Sequence, residues 1–150
     1  MKTRIALFIL LLVCGSLRAQ DYDFIYSRPD GSSFECIITS DSTVSLRGGS
    51  PDTLGNLILP EVVNSGYNYF TVTAIADSAW YTYCYCSYLL ISNTIKHIGD
   101  YAFYDCYVSD KIYFGTNLNY IGNHCFHYDR ASMVIFNAKN CQNIGEDVFT

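Results

Sequence analysis

A 23-residue internal repeat is the feature of this sequence that most limits the folds open to it. Four six-residue segments align without a gap, each beginning one repeat length after the one before: 75–80, 98–103, 121–126 and 144–149. Each segment begins with isoleucine and ends with an aromatic residue. One unit of this length cannot enclose a core by itself. The units are therefore expected to stack strand beside strand as a repeat solenoid.

Alternating apolar residues upstream of each isoleucine predict one short strand per unit. They stand nine and seven positions before the isoleucine: Leu89 and Ile91, Ile112 and Phe114, then Ile135 and Asn137. The alternation is typical of a strand with one buried side, and Asn137 departs from it in the last unit. The residues between these positions are expected to face outward.

The residues after each isoleucine predict one short helical turn per 23-residue unit. Asp77, Asp100 and Asn123 stand two positions after the isoleucine, where a side-chain oxygen can accept from the free N–H groups of a helical turn. Glycine precedes this position in every unit except the first, which has Ala76. Glycine there predicts a tight or positive-φ corner.

Residues 1–20 have the pattern of a signal peptide. Lys2 and Arg4 precede an unbroken apolar stretch of nine residues, and cleavage is expected after Ala19 or Gln20. A membrane-spanning helix needs roughly 20 apolar residues, so no anchor is expected to be retained and the mature chain is not expected to insert into a membrane.

Lipid attachment at Cys14 is the alternative fate of this leader. Val13 disfavours it, because lipoprotein signals normally carry a small residue at that position. Either way we expect an exported protein, secreted or displayed on the cell surface.

The mature chain is expected to form one domain with two parts. Residues 21–70 are predicted to form an N-terminal cap rich in β-hairpins, because short strand-like runs alternate with glycine- and asparagine-containing turns. Residues 71–150 hold the repeats, and the last one is incomplete at Thr150. Open sheet edges need covering, so the C-terminal edge is expected to stack on further repeats or on another chain.

The charge of the mature chain excludes two classes of partner. Loss of Lys2, Arg4 and Arg18 leaves 6 basic and 14 acidic residues, which moves the formal charge from -5 to -8. Nucleic acid and anionic lipid both attract basic runs, and this chain has none. We therefore expect neither partner.

Six cysteines remain after cleavage: Cys36, Cys84, Cys86, Cys106, Cys125 and Cys141. Several occupy positions where the repeat requires a small buried side chain, so we expect mainly core thiols. One or two disulfide bridges are the alternative, because an exported chain with an even cysteine count permits them. A zinc site is disfavoured for two reasons: the spacing of Cys84 and Cys86 is wrong for a zinc knuckle, and the sequence has no second cysteine pair to complete the four ligands.

The segment Ile-Gly-Asp-Tyr-Ala-Phe-Tyr-Asp-Cys at 98–106 resembles the BspA-like leucine-rich repeat family of bacterial surface proteins. Residues 57–60 and 70–80 resemble the usual lead-in to that family's first repeat. The resemblance implies a leucine-rich-repeat-like solenoid in a secreted or surface protein, with a role in adhesion. It carries no catalytic residue, because the family motif is a set of core positions. The sequence departs from the family's common Ile-Pro, with Ser92, Gly115 and Ala138 in place of proline.

The sequence contains no recognisable catalytic motif, so we expect no enzyme activity and no cofactor. His124 and His127, with Asp129 nearby, could form a weak metal site. The favoured interpretation places them at exposed, variable positions, because Tyr101 and Tyr104 are their counterparts in the preceding unit.

The outer face of the strands is the candidate ligand-binding site. Its predicted residues are Tyr88, Leu90, Lys111, Tyr113, Val134 and Phe136. A contiguous apolar and aromatic strip of this kind often marks a protein-binding surface. Sheet propensity alone, or cover by the N-terminal segment, would also explain it.

The function expected from these observations is an exported leucine-rich repeat binding module for cell-surface adhesion or recognition. Its expected partner is a protein or glycan at a cell or host surface. The alternative is a structural spacer or assembly repeat of a longer surface protein.

Overall fold

The structure is a computed structural model that describes residues 21–82, 84–127 and 130–149. This described part contains twelve strands and no helix. The strands are β1 (Phe24–Ser27), β2 (Ser33–Ile38), β3 (Thr43–Ser50), β4 (Asn56–Ile58), β5 (Val62–Ser65), β6 (Asn68–Ile75), β7 (Tyr85–Ile91), β8 (His97–Ile98), β9 (Tyr107–Phe114), β10 (Tyr120–Ile121), β11 (Met133–Phe136) and β12 (Asn143–Ile144). The predicted signal peptide, with its alternative at Cys14, lies outside the described residues. No described helix is long and apolar enough to cross a membrane.

Two sheets enclose the core. Sheet A has the order β1-β2-β3-β6-β8-β10-β12, and β5 also pairs with β6. Sheet B has the order β11-β9-β7-β4, and all its pairs are parallel. The first coil contributes β4 to sheet B and then β5 and β6 to sheet A, and each later coil contributes one strand to sheet B and then a two-residue strand to sheet A. A turn segment follows in every coil. The turn segments are 77–82, 100–105, 123–127 and 146–149.

The N-terminal strands close one end of the stack. Strands β1, β2 and β3 form an antiparallel meander, and β3 continues sheet A by pairing in parallel with β6. The Trp80 indole N–H donates to the Gly49 carbonyl of β3 at 3.0 Å, which ties the first turn segment to this meander. Strand β4 belongs to sheet B, so the parallel stack begins at Asn56.

The recurring side chains share one core, as the repeat predicts. Ile98 pairs with Ile75 on one side and with Ile121 on the other, and all three are fully buried. The rings of Trp80 and Phe103 stack at 5.1 Å, and the rings of Phe103 and Phe126 stack at 5.0 Å. Aromatic side chains each bury roughly 150 to 250 Å², so this ring column is the largest apolar contribution of the turn segments.

The helical turn predicted for each unit is not found among the described residues. Instead, alternate N–H groups in each turn segment donate to the next coil. The Ser78 N–H donates to the Asp100 carbonyl at 2.8 Å, and the Trp80 N–H donates to the Ala102 carbonyl at 2.7 Å. Ser78 has φ 55°, which an α-helix does not allow. The turn segments therefore form a third hydrogen-bonded side of the solenoid.

The glycine and aspartate of the motif also act between coils. Asp100 Oδ1 accepts the Asn123 N–H at 2.8 Å, and Asp77 Oδ1 accepts the Asp100 N–H at 2.9 Å. The expectation that these side chains cap their own turn was wrong. Positive φ falls on Ser78 and Tyr101, while the glycine at 99 is not among the positive-φ residues. Glycine is needed there because a Cβ would overlap the Asp77 carboxylate and backbone.

The last described coil leaves its core side chains open. Ile144 is 55% exposed and Phe149 is 48% exposed, whereas their counterparts Ile121 and Phe126 are buried. No described coil packs over these two residues.

Candidate functional site

Two rows of side chains cross the outer face of sheet B. One row is Asn56, Tyr88, Lys111 and Met133, and the other is Ile58, Leu90, Tyr113 and Ile135. Ile58 is 37% exposed and Met133 is 54% exposed, while Tyr88, Leu90, Lys111 and Tyr113 are half-buried. Strand β4 lies beside β7 at the edge of this face and does not cover it, so the side chains on β7 and β9 stay partly exposed. We refer to these two rows as the strand face.

Four of the six predicted site residues lie on the strand face, and two do not. Val134 pairs with Ile112, and Phe136 pairs with Phe114, so both belong to the inward rows. The Phe136 ring lies 5.1 Å from the ring of buried Phe114. Their partial exposure comes from their place in the last coil. The outward positions of β11 are Met133 and Ile135.

A one-residue change of register explains this correction. Tyr113 aligns with Phe136 at the repeat spacing, whereas its strand partner is Ile135, one position short of that spacing. The full repeat spacing is restored after β11, because Ile121 pairs with Ile144. Ile135 is therefore an outward residue, and Asn137 does not fill an inward strand position, since β11 ends at Phe136.

The strand face is mainly neutral. Burial, with the nearby phenol of Tyr113, raises the pKa of Tyr88, so the Tyr88 hydroxyl stays protonated. Lys111 Nζ lies 3.7 Å from Asp110 Oδ2 in a solvent-exposed pair, and such pairs contribute at most about 1 kcal/mol. The face therefore offers phenol hydroxyls, aliphatic groups and one partly neutralised cation.

A shallow depression of about 280 Å³ adjoins the strand face. It is lined by Gly55, Tyr85, Cys86, Ser87, Tyr107 and Ser109. The rings of Tyr85 and Tyr107 lie 6.1 Å apart, tilted by 32°. Tyr85 is 75% exposed and Tyr107 is 44% exposed. We refer to this site as the tyrosine depression.

Sequence reasoning missed the tyrosine depression because of a β-bulge. Tyr85 pairs with Tyr107, one position short of the repeat spacing, whereas Tyr88 pairs with Lys111 at the full spacing. An alignment at the repeat spacing places Tyr85 opposite Val108, so the two tyrosines fall out of register. The remaining signal was two tyrosines, Tyr85 and Tyr107, a few residues before adjacent predicted strands.

Stacked rings cover the turn segments on their outer side. His124 stacks on Tyr101 at 5.0 Å, and His127 stacks on Tyr104 at 5.3 Å. His124 Nδ1 also lies 3.9 Å from Asp147 Oδ2. Asp129, the third member of the weak metal hypothesis, lies outside the described residues. Within the part described, no group of three or more metal-binding side chains comes together.

Most of the cysteines lie in the core. Cys36, Cys84, Cys86, Cys106 and Cys125 are buried, and Cys141 is half-buried. Burial raises the pKa of the Cys36 thiol to about 12 and also raises that of Cys125. The Sγ atoms of Cys84 and Cys86 lie 3.7 Å apart. Cys36 and Cys125 are therefore poor nucleophiles, since the thiolate is the reactive form.

Solved structures with this fold include a bacterial cell surface protein and a pneumococcal vaccine antigen. A leucine-rich cell surface protein from Faecalibacterium prausnitzii A2-165 is 20% identical, with a TM-score of 0.57, and the match covers 84% of this chain and 36% of that one. The pneumococcal vaccine antigen PcpA is 16% identical, with a TM-score of 0.53 and coverages of 85% and 42%. This chain thus spans less than half the length of either protein.

A third structure is matched over almost its whole length. A leucine-rich repeat protein from Bacteroides capillosus ATCC 29799 is 16% identical, with a TM-score of 0.52, and the match covers 73% of this chain and 96% of that one. At these identities the likeness concerns the fold alone. No curated protein matches the sequence significantly.

The sequence signature described as the BspA type leucine-rich repeat region matches residues 67–150 in six copies. This range contains the four motif segments and all the strands from β6 onward, and it confirms the resemblance drawn from residues 98–106. The chain belongs to the BspA-type leucine-rich repeat family.

Proposed function

We propose that this chain is an exported recognition module that binds a protein or glycan at a cell or host surface through its strand face. The observation that carries the proposal is the strand face itself, a contiguous surface of apolar and aromatic side chains across four adjacent strands. The proposal includes no catalytic step and no cofactor.

The composition of the strand face suits binding. Tyrosine and large apolar side chains carry much of the binding energy when a flat surface is buried. Leu90 and Tyr113 are register partners at the centre of the face, where water is most fully excluded on binding. The neighbouring Lys111 adds a polar contact that can orient a partner.

Two of the similar solved structures support a surface role. One is described as a cell surface protein and another as a vaccine antigen. Export through the leader at 1–20 would place this chain in the same setting. The exported protein is then expected to begin at Gln20 or Asp21, which intact-mass measurement of secreted material would reveal.

A paired variant of the strand face tests the binding site. Leu90→Thr/Tyr113→Thr removes the central apolar groups and keeps strand-forming side chains. Val62→Thr/Tyr69→Thr on sheet A is the matched control, because Val62 and Tyr69 are 49% and 71% exposed. The probes are a printed glycan array and a panel of immobilised extracellular-matrix proteins.

We expect the strand-face variant to lose at least about tenfold in affinity for any probe that the native chain binds. The control variant should bind as the native chain does, and both should keep the native circular dichroism spectrum. Equal binding by both variants would remove the strand face from consideration.

A spacer or assembly role is the second candidate, and the open last coil favours it. Ile144 and Phe149 are core residues that a further repeat or another chain would cover. Light scattering after size-exclusion chromatography should then detect self-association that Ile144→Lys abolishes. A chain that stays monomeric at high concentration would speak against assembly between copies.

A further inference from the structure

We propose that the tyrosine depression binds a neutral pyranose residue of a glycan. This inference rests on the proposed recognition function and names its ligand class. The proposed sugar site uses residues outside the two rows of the strand face. An experiment can therefore contradict the sugar site and leave the strand face intact as a binding surface, or the reverse.

The tyrosine rings of the depression are available to a ligand, unlike the buried Trp80–Phe103 ring pair. Trp80 and Phe103 stack at 5.1 Å with an interplanar angle of 3°, which leaves no ring face between them open. Tyr85 and Tyr107 lie 6.1 Å apart and are tilted by 32°, and Tyr85 is 75% exposed. The exposed ring surface is flat, apolar and slightly negative, which suits the C–H face of a sugar ring.

Hydroxyl groups lie beside the rings. Ser87 and Ser109 line the depression and are exposed, one on each of the two adjacent strands that carry the tyrosines. A serine hydroxyl both donates and accepts hydrogen bonds, as do the hydroxyls of a sugar. A pyranose can therefore place its C–H face on the rings and its ring hydroxyls on the serines.

The charge and size of the depression limit the ligand further. None of its described lining residues carries a charge, so neither an acidic sugar nor a charged peptide side chain gains an ion pair there. Its volume of about 280 Å³ is just below the roughly 300 to 1,000 Å³ typical of small-molecule sites. One sugar residue is the unit that fits, with the rest of the glycan in solvent or along the strand face.

Saturation-transfer NMR on the mature chain tests this assignment. The probes are methyl β-glucopyranoside, methyl β-galactopyranoside and methyl N-acetyl-β-glucosaminide. Tyr85→Ala and Tyr107→Ala remove one ring each, whereas Tyr85→Phe keeps the ring. Tyr69→Ala is the matched control, because Tyr69 is 71% exposed on sheet A.

We expect at least one pyranoside to bind, and each alanine variant of the depression to weaken its binding by about tenfold or more. Tyr85→Phe should retain most of the affinity, and Tyr69→Ala should retain all of it. Absence of binding by all three pyranosides, or equal binding by Tyr85→Ala and the native chain, would overturn the inference. A matrix protein bound through Leu90 and Tyr113 in a chain that binds no sugar would leave the proposed function intact.

Discussion

At the residue scale, the motif glycine is required by the close approach of neighbouring coils. A Cβ on Gly122 would lie 2.5 Å from both the backbone nitrogen and the Oδ1 of Asp100. The same nitrogen donates to Asp77, and the same Oδ1 accepts from Asn123, so neither atom can move without breaking an inter-coil hydrogen bond.

Gly122→Ala is therefore expected to lower the free energy of unfolding by about 1 to 3 kcal/mol or more, as overpacking does. Ala76 is the natural counterpart in the first coil, so Ala76→Gly should cost only about 0.5 to 1 kcal/mol. Urea denaturation measures both changes. Equal losses in the two variants would contradict the close approach.

Burial should set the reactivity of the cysteines. The pKa of Cys36 is raised by burial from 9.0 to about 12, so native Cys36 should resist iodoacetamide at pH 8. Half-buried Cys141 should be modified first and buried Cys125 late, as followed by peptide mass spectrometry. Equal rates at Cys36 and Cys141 would contradict this order.

The same shift makes stability depend on pH in a definite direction. The folded pKa of Cys36 lies above the unfolded value. The protonated thiol therefore contributes to the free energy of unfolding, and this contribution is fully present below pH 9.0 and is lost as the pH rises through about 12. The effect therefore weakens the fold only under alkaline conditions.

At the element scale, the turn segments show why local sequence wrongly predicted a helical turn in each unit. An aspartate followed by helix-compatible residues predicts a capped helical turn, yet Asp100 accepts from Asn123 in the next coil. In a stacked solenoid a neighbouring coil lies within hydrogen-bond reach, and its N–H groups compete with those of the local turn. Sequence reasoning that considers one unit alone cannot include that competitor.

The strands were predictable where the spacing stays regular. The inward rows at Leu89, Ile91, Ile112 and Phe114 are buried as the alternation required. The prediction was wrong at β11, where the register moves by one residue and exchanges the two sides of the strand. The bulge between β7 and β9 likewise concealed the Tyr85–Tyr107 pair. Both failures come from one-residue irregularities that a fixed repeat spacing cannot represent.

The ring column offers a direct test of stacking. Phe126 is 1% exposed and stacks between Phe103 at 5.0 Å and Phe149 at 5.3 Å. Phe126→Ala should cost about 3 to 5 kcal/mol. Phe149→Ala changes the same motif position in the open coil, where the ring is 48% exposed, so its cost should be less than half as large. Urea denaturation of the two variants gives the comparison, and equal costs would contradict stacking against an open end.

At the scale of the whole molecule, each coil contacts only its neighbours, so stability should vary along the stack. The N-terminal meander covers one end, whereas the last described coil is uncovered. In such a nearly one-dimensional protein, local opening begins where a coil has a neighbour on one side only.

Amide hydrogen exchange should detect this gradient. The Phe103 N–H donates to Cys125 at 2.9 Å, within coils that are flanked on both sides, whereas the Phe126 N–H donates to Val148 at 2.9 Å in the open coil. We expect Phe103 to be the more protected, by about tenfold or more. Phe149→Ala should then speed exchange at Phe126 more than at Phe103, because it loosens the last coil without disturbing the earlier ones. If exchange rose by the same factor at both amides, the stack would open as one cooperative unit, and the open coil would not be its weak end.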